Sequence, residues 1–390
     1  MLKQGAAAAI QPFLVMDVIA RANARQAALP AGAPRIIRME VGQPGTGAPR
    51  GAALAASRAL IDAQPLGYTE AFGRRSLRER IALHYAQFYG VAVQAGRIAV
   101  TTGASGGFLL AFLAAFDAGD RIALATPYYP PYVNILAALG MVPVVLPTGP
   151  ETRFQPTIAM LEAMAEQPGG LPDGLIVASP CNPAGTTLDR SELSDLARWC
   201  DAHGVRLVSD EIYHGLNWEA APATATTFSD SAIVINSFSK YWSMTGWRVG
   251  WMLLPDDLLR AAERLKQNFF ISAPHISQVA AEAAFDCTDE IEANLQHYRR
   301  SRAHLLQALP DAGFADLSPA QGAFYLYADI SSRSLDSVGF AALLLDEAGV
   351  AVTPGLDFDA RRGHRFLRLS YCGPEDDMRE AAVRLKRFTG

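Results

Sequence analysis

A lysine stands where an apolar run stops. "AIVINSFSK" (232–240) is hydrophobic up to Ser237 and then delivers Ser239 and Lys240, with Arg248 following in "MTGWRVG". Lysine is almost never fully buried unless it is paired. One held at the end of a buried strand has its charged form disfavoured, and the free amine is a nucleophile. Such an amine suits imine formation with an aldehyde.

Other unusual residues also fall just after strand-like runs. "RIAVTTG" (97–103) leads into "ASGG", and "RIALATP" (121–127) into the aromatic cluster Tyr128, Tyr129 and Tyr132. "GLIVASP" (174–180) leads into Asn182, and "RLVSDE" (206–211) carries Asp210 with Tyr213 three residues on. Taken one at a time these are turns, half-buried aromatics or helix-start acids. Taken together they offer what pyridoxal 5′-phosphate needs: a lysine for the Schiff base, an acid for the ring nitrogen, donors for the phosphate and a surface for the ring.

On that reading Lys240 forms the covalent link and then shuttles the proton. Asp210 pairs with the pyridinium nitrogen, and Tyr213 and Asn182 hydrogen-bond the ring's phenolic oxygen. Backbone N–H groups of Ala104 and Ser105, at a helix start, suit a phosphate dianion. Ser237, Ser239 and Arg248 add charge-assisted bonds to it. Tyr129 stacks on the ring.

The elements that must hold these residues follow from periodicity. Near-continuous apolar runs at 97–103, 121–127, 174–180, 206–211, 232–240 and 249–255 alternate with helical patterns, which predicts an α/β domain around a mostly parallel sheet covered on both faces. In "SELSDLARWCDAHG" Ser191 is the expected N-cap, Leu193, Leu196, Ala197 and Cys200 the buried stripe, and Gly204 the C-terminal stop. A long amphipathic helix is expected over 288–310. "GAFYLYADI", "GVAVTPG" and "FLRLSYC" beyond it suggest a smaller α+β lobe, which the N-terminal segment with "APRIIRMEVGQPG" is expected to join.

Bulk properties narrow the function. The chain has 390 residues, enough for two lobes, with half of them hydrophobic, 19% charged and a net charge of −5. No basic block calls for nucleic acid or an anionic membrane as partner. Four scattered cysteines without metal spacing read as reduced thiols, the N-terminal stretch lacks signal-peptide form, and no apolar run reaches spanning length, so a cytoplasmic protein is expected. No phosphate-binding P-loop or dinucleotide fingerprint occurs. His297 and His304 share a helix face without a third ligand, so no metal site is expected.

"SFSKYWSMTGWRVG", "SPCNPAGT", "SDEIY" and "RLSY", in this order, resemble the class I/II aminotransferases of pyridoxal phosphate fold type I, among them the bacterial aspartate and aromatic aminotransferases. The likeness runs from "VGQPG" near residue 42 to Arg368. It implies a large cofactor domain (45–287) with a mostly parallel seven-stranded sheet and a small α+β domain from the two termini (1–44 and 288–390). It further implies a homodimer with shared active sites, in which Tyr68 reaches the neighbouring subunit's cofactor phosphate. Arg368 takes the role of binding the substrate α-carboxylate, and Gly42 and Asn182 help to hold the substrate. The implied reaction is ping-pong transfer of an amino group between an L-amino acid and a 2-oxo acid. A β-lyase (C–S lyase) of the same fold shares every one of these residues.

Two departures bear on substrate. Aspartate-specific relatives commonly carry a lysine where Ser105 stands, and their N-terminal segment is often polar where "PFLVMDV" (12–18) is apolar. Both point to neutral or aromatic amino acids, with Arg21, Arg25 or Arg74 as the candidate distal cations for an acidic one. Regulators that carry this fold as an effector module need an N-terminal winged-helix domain, for which no segment is found before "VGQPG".

Overall fold

The computed structural model describes residues 2–388. In chain order the strands are β1 (Ile37–Arg38), β2 (Ile98–Thr101), β3 (Arg121–Thr126), β4 (Val142–Pro147), β5 (Gly174–Ala178), β6 (Arg206–Asp210), β7 (Ile233–Ser237), β8 (Gly250–Leu253), β9 (Tyr325–Asp329), β10 (Val350–Ala351), β11 (Thr353–Pro354) and β12 (Phe366–Ser370). Seven of them form one sheet in the order β2-β8-β7-β6-β5-β3-β4. Only β8 opposes the rest: it pairs antiparallel with both β2 and β7, and the remaining pairs are parallel. The sheet therefore gathers the C-terminal ends of β2, β3, β5, β6 and β7 on one edge. The start of β8 lies on the same edge.

Both faces of this sheet are buried, as the near-continuous apolar runs require. Val100, Leu175, Val177, Leu207, Val234 and Trp251 belong to one buried cluster. Their alternate neighbours Ala99, Ile176, Val208, Ile233, Ile235 and Met252 belong to the other. This is the period-2 alternation of a pleated strand. Fully burying a single Ile or Val side chain contributes about 1.5–3 kcal/mol, so the register of the central strands is strongly specified.

Two differences from the sequence expectations have plain causes. The edge strand β4 (VPVVLP) was not among the expected runs: it carries two prolines and is only partly buried, so it lacks the apolar signature of its neighbours. The helix at 190–203 is capped by Asp189, whose side chain accepts from Glu192 N, and not by Ser191. Asp189 and Glu192 form a reciprocal capping box, while the Ser191 hydroxyl donates to Asp189 Oδ1 at 2.7 Å. Gly204 ends the helix with φ of +68°.

A second, three-stranded antiparallel sheet runs β11-β12-β9. The chain ends meet beside it: β1 pairs parallel with β10, matching Ile37 with Val350. The N-terminal helix Leu14–Ala27 is pinned nearby, because the amides of Leu14 and Val15 donate to the Asp357 carboxylate at 2.9 and 3.1 Å. Those are orphan donors of a helix start, and a carboxylate there is favoured by the dipole. The long helix falls at Thr288–Ala308. Among the described residues no helix is long and apolar enough to cross a membrane.

Candidate active site

A cavity of about 370 Å³ opens where the C-terminal edge of the large sheet faces β9 and β12. Seven residues given a role from sequence line it: Gly42, Tyr129, Asn182, Asp210, Tyr213, Lys240 and Arg368. This is the crevice outside the strand ends at which open α/β sheets bind ligands.

Asp210 is the last residue of β6 and is buried. Its Oδ1 accepts the Ile212 amide at 3.1 Å, and its Oδ2 accepts the hydroxyl of buried Tyr132. Burial pushes its carboxyl up to about 6, against the opposing pull of the Tyr132 and Ile212 bonds and the Lys240 charge. A cation beside it would hold it ionised, since an opposite charge at close range favours the charged form.

Lys240 stands three residues beyond β7. Its Nζ donates to the Gly42 carbonyl at 2.6 Å. Burial brings the amine down to about 8, and the Arg368 and Arg248 charges reinforce this. The lysine thus has free amine available near neutrality, which a nucleophile or a proton carrier needs.

Arg368, in the middle of β12, is buried. Its Nη1 donates to Asn182 Oδ1 at 2.9 Å; its Nη2 donates to the Glu40 carbonyl at 2.5 Å and to Thr353 Oγ1 at 3.1 Å. The guanidinium stands 4.5 Å from the ring centroid of Tyr325 and 4.8 Å from that of Phe358. Its Nε is buried without a hydrogen-bond partner. A buried cation with an unspent donor is costly until an anion arrives.

At the far end, the helix Gly103–Ala115 presents its start to Arg248. Gly103 sits at φ +68°, and a Cβ there would collide with the Arg248 guanidinium, so only glycine lets the arginine lie over the helix N-terminus. The amide of Ala104 lies close to Gly250 at the head of β8. An N-terminus with an arginine over it is a cradle for an anion. Ser237 Oγ donates to Ser239 Oγ at 2.9 Å and accepts the Ser239 amide at 3.1 Å, which fixes the turn that carries Lys240.

Ser105 is exposed on the first turn of the 103–115 helix. Tyr129 is half-buried on the cavity wall, edge-on to Tyr132 with ring centroids 5.5 Å apart. Tyr213 is buried, and its hydroxyl meets that of Tyr325 at 2.8 Å. Tyr68 is 82% exposed and does not line the cavity. Arg21, Arg25 and Arg74 stand away from it: Arg21 pairs with Asp346, Arg25 Nη2 donates to the Asp346 carbonyl at 3.0 Å, and Arg74 lies 3.4 Å from Glu282.

Sequence reasoning missed the role of Tyr132 and overlooked Tyr325, Glu40 and Cys372. Glu40 is fully buried and paired with Arg38 at 2.6 Å, while its carbonyl supports Arg368. Cys372 Sγ reaches Gln43 O at 2.9 Å. The N-terminal segment contributes an apolar wall of Phe13, Val15, Met16 and Ile19; the first three lie in the 12–18 stretch that sequence pointed to for substrate choice, and Ile19 lies just beyond it.

The chain is similar along nearly its whole length to known proteins. A family model described as "Aminotransferase class I and II" matches residues 34–385. The chain is 48% identical to a valine–pyruvate aminotransferase of Mycobacterium tuberculosis over 382 residues, covering 97% of this chain and 96% of that protein. The crystal structure of an aminotransferase from the same organism superposes with a TM-score of 0.95 at 47% identity, covering 99% of both chains. An aspartate aminotransferase from Thermus thermophilus, solved with maleate, superposes with a TM-score of 0.90 at 30% identity, covering 99% of this chain and all of that one.

Proposed function

We propose the following reading from the premise that the chain belongs to the class I and II aminotransferases, to which its family match and full-length likeness assign it. Such a chain is a pyridoxal phosphate enzyme that moves an amino group between an amino acid and a 2-oxo acid. What we add is which residues do this and on which substrates.

The residues present fit the cofactor. Arg248 and the amides opening the 103–115 helix, with Ser237 and Ser239 behind them, would hold its phosphate. Asp210 would hold its ring nitrogen protonated, and Tyr129 would lie against the ring. Tyr213 and Asn182 would face its phenolic oxygen, and Lys240 would carry it covalently. When bound, the cofactor supplies an electron sink for charge developing at the substrate's Cα.

The chain's own groups do the rest. The Arg368 guanidinium, whose Nε has no partner, takes the substrate α-carboxylate, with Gly42 and Asn182 beside it. A planar fork packed on the rings of Tyr325 and Phe358 orients the Cα–H bond. Lys240 Nζ, as a free amine, accepts the substrate's Cα proton and would deliver it to the cofactor's C4′ carbon; a lowered amine pKa suits both directions.

One observation carries the substrate proposal: the wall beyond the carboxylate site is apolar, built from Phe13, Val15, Met16 and Ile19, while Arg21, Arg25 and Arg74 are engaged elsewhere. A neutral side chain, aliphatic or aromatic, suits it. The 48% identical relative, which acts on valine and pyruvate by its name, supports that reading. The test is a panel of half-reactions followed by cofactor absorbance. Neutral amino acids should convert the enzyme to its amino form faster than aspartate does. A panel in which only aspartate and glutamate react would reverse the assignment. Steady release of pyruvate and ammonia from an amino acid alone would make the enzyme a lyase.

We also take residues 45–287 as the cofactor domain and 1–44 with 288–390 as the small domain. We take the active unit to be a homodimer, supported by the exposure of Leu60, Ile61 and Tyr68, which lie close together in sequence, and sedimentation at working concentration checks it. The four free cysteines suit a cytoplasmic setting.

A further inference from the structure

Tyr325, buried on β9, receives three parts of the site at once. Its hydroxyl lies 2.8 Å from that of Tyr213. The Arg368 guanidinium stands 4.5 Å from its ring centroid. The main chain at Gly42 passes so close that a Cβ there would collide with the phenol oxygen. That same Gly42 carbonyl accepts the Lys240 amine at 2.6 Å.

A phenol has one proton to donate. If Tyr213 gives its proton to the cofactor's phenolic oxygen, its bond to Tyr325 can only run the other way, with Tyr325 as donor. Burial pushes the titration of both hydroxyls upward, so both keep their protons at working pH. A donor on the oxygen of Tyr213 polarises that phenol and strengthens the bond it makes beyond. The stronger that bond, the better the cofactor oxygen bears negative charge. The deprotonated form of the Lys240 linkage is then favoured.

We propose that Tyr325 is a positioning residue that acts through Tyr213 to lower the pKa of the Lys240–cofactor linkage, while its ring supports the Arg368 fork. This rests on the role assigned to Tyr213 above. It makes one side chain common to the carboxylate site and the cofactor's phenolic oxygen.

The test is a pH titration of cofactor absorbance in the holoenzyme, for the native chain, Tyr325→Phe, Tyr213→Phe and the double variant. Tyr325→Phe removes only the hydroxyl and keeps the ring under Arg368. It should raise the apparent pKa by about half a unit to one unit, the size expected for one lost hydrogen bond. KM for the amino acid should stay within about twofold, because uniform binding is untouched. Tyr213→Phe should raise the pKa further, and adding Tyr325→Phe to it should change nothing more. If Tyr213→Phe shifts the titration and Tyr325→Phe does not, the inference falls and the role of Tyr213 stands. Additive shifts in the double variant would also overturn it, because Tyr325 would then act by another route. If Tyr213→Phe leaves the titration unmoved, both assignments fall together.

Discussion

At the cofactor end of the cavity, Asp210, Asn182 and Lys240 stand on or a few residues beyond the last residues of adjacent strands in one sheet. At the substrate end, Arg368, Gly42 and Met16 come from opposite ends of the chain. The first set is placed by parallel ladders whose register is held by two buried faces. The second is held by stitches between distant segments: Ser370 N to Met39 O at 2.7 Å, Gly45 N to Cys372 O at 2.9 Å, and Thr353 Oγ1 to Glu40 O at 2.9 Å. A sheet edge fixes the chemistry that does not vary with substrate. A seam between termini can change its lining without disturbing that edge, which is where specificity is free to diverge.

The largest effect should come from breaking the cofactor end. Lys240→Ala removes both the covalent anchor and the proton carrier, and single-turnover rates should fall by about 10²–10⁴-fold, the range for positioned acid–base groups. Arg368 would still accept the carboxylate, so amino acid affinity should survive. The amine's lowered pKa gives a companion readout on the native chain. Cofactor uptake by the apo-protein should accelerate as pH rises through about 8, where half of the amine is free, and level off roughly a unit above that. An unperturbed lysine would keep accelerating to beyond about 10.

Arg368→Lys attacks the other end. It keeps a charge but loses the planar fork between Tyr325 and Phe358 and the donors to Asn182 and Glu40. Truncating one partner of a buried, hydrogen-bonded charge pair costs about 2–5 kcal/mol, so kcat/KM should drop by at least about 30-fold. Cofactor affinity should not move, because neither Asp210 nor the Arg248 cradle is touched. If it does, the two ends are not separable in the way their construction suggests.

The same contrast explains what was legible in sequence. Central strands announce themselves because burial on both faces makes them continuously apolar, and a polar residue at such a strand's end is conspicuous; Asp210 and Lys240 were read on that ground. The edge strand β4, half-exposed and carrying two prolines, gives no such signal. Tyr132 was visible as one of several aromatics, but its bond to Asp210 depends on β3 and β6 both ending at the same edge of the sheet. Tyr325 and Glu40 look like ordinary strand and loop residues until β9, β12 and the N-terminal segment are brought together. Arg368 and Gly42 were reached only through a family resemblance, because nothing local distinguishes a carboxylate-binding arginine from a surface one.

The smallest effect tests the seam itself, at Cys372. Its Sγ lies 2.9 Å from Gln43 O, 3.5 Å from Val41 O and 3.0 Å from Ser370 Oγ, so the thiol flanks the Gly42 peptide on both sides. Burial pushes the thiol up, keeping it a protonated donor. Cys372→Ala leaves the Gln43 carbonyl without that donor, and the loss of one such bond, about 1 kcal/mol, corresponds to roughly a fivefold rise in KM for the amino acid. Cys372→Ser supplies a hydroxyl donor in the same place and should recover most of it. Neither change touches the sheet edge, so kcat for the half-reaction and the linkage titration should hold. A Cys372→Ala variant whose kcat falls while KM stays put would mean that the 41–43 segment positions Lys240, through the Gly42 carbonyl, more than it positions the substrate.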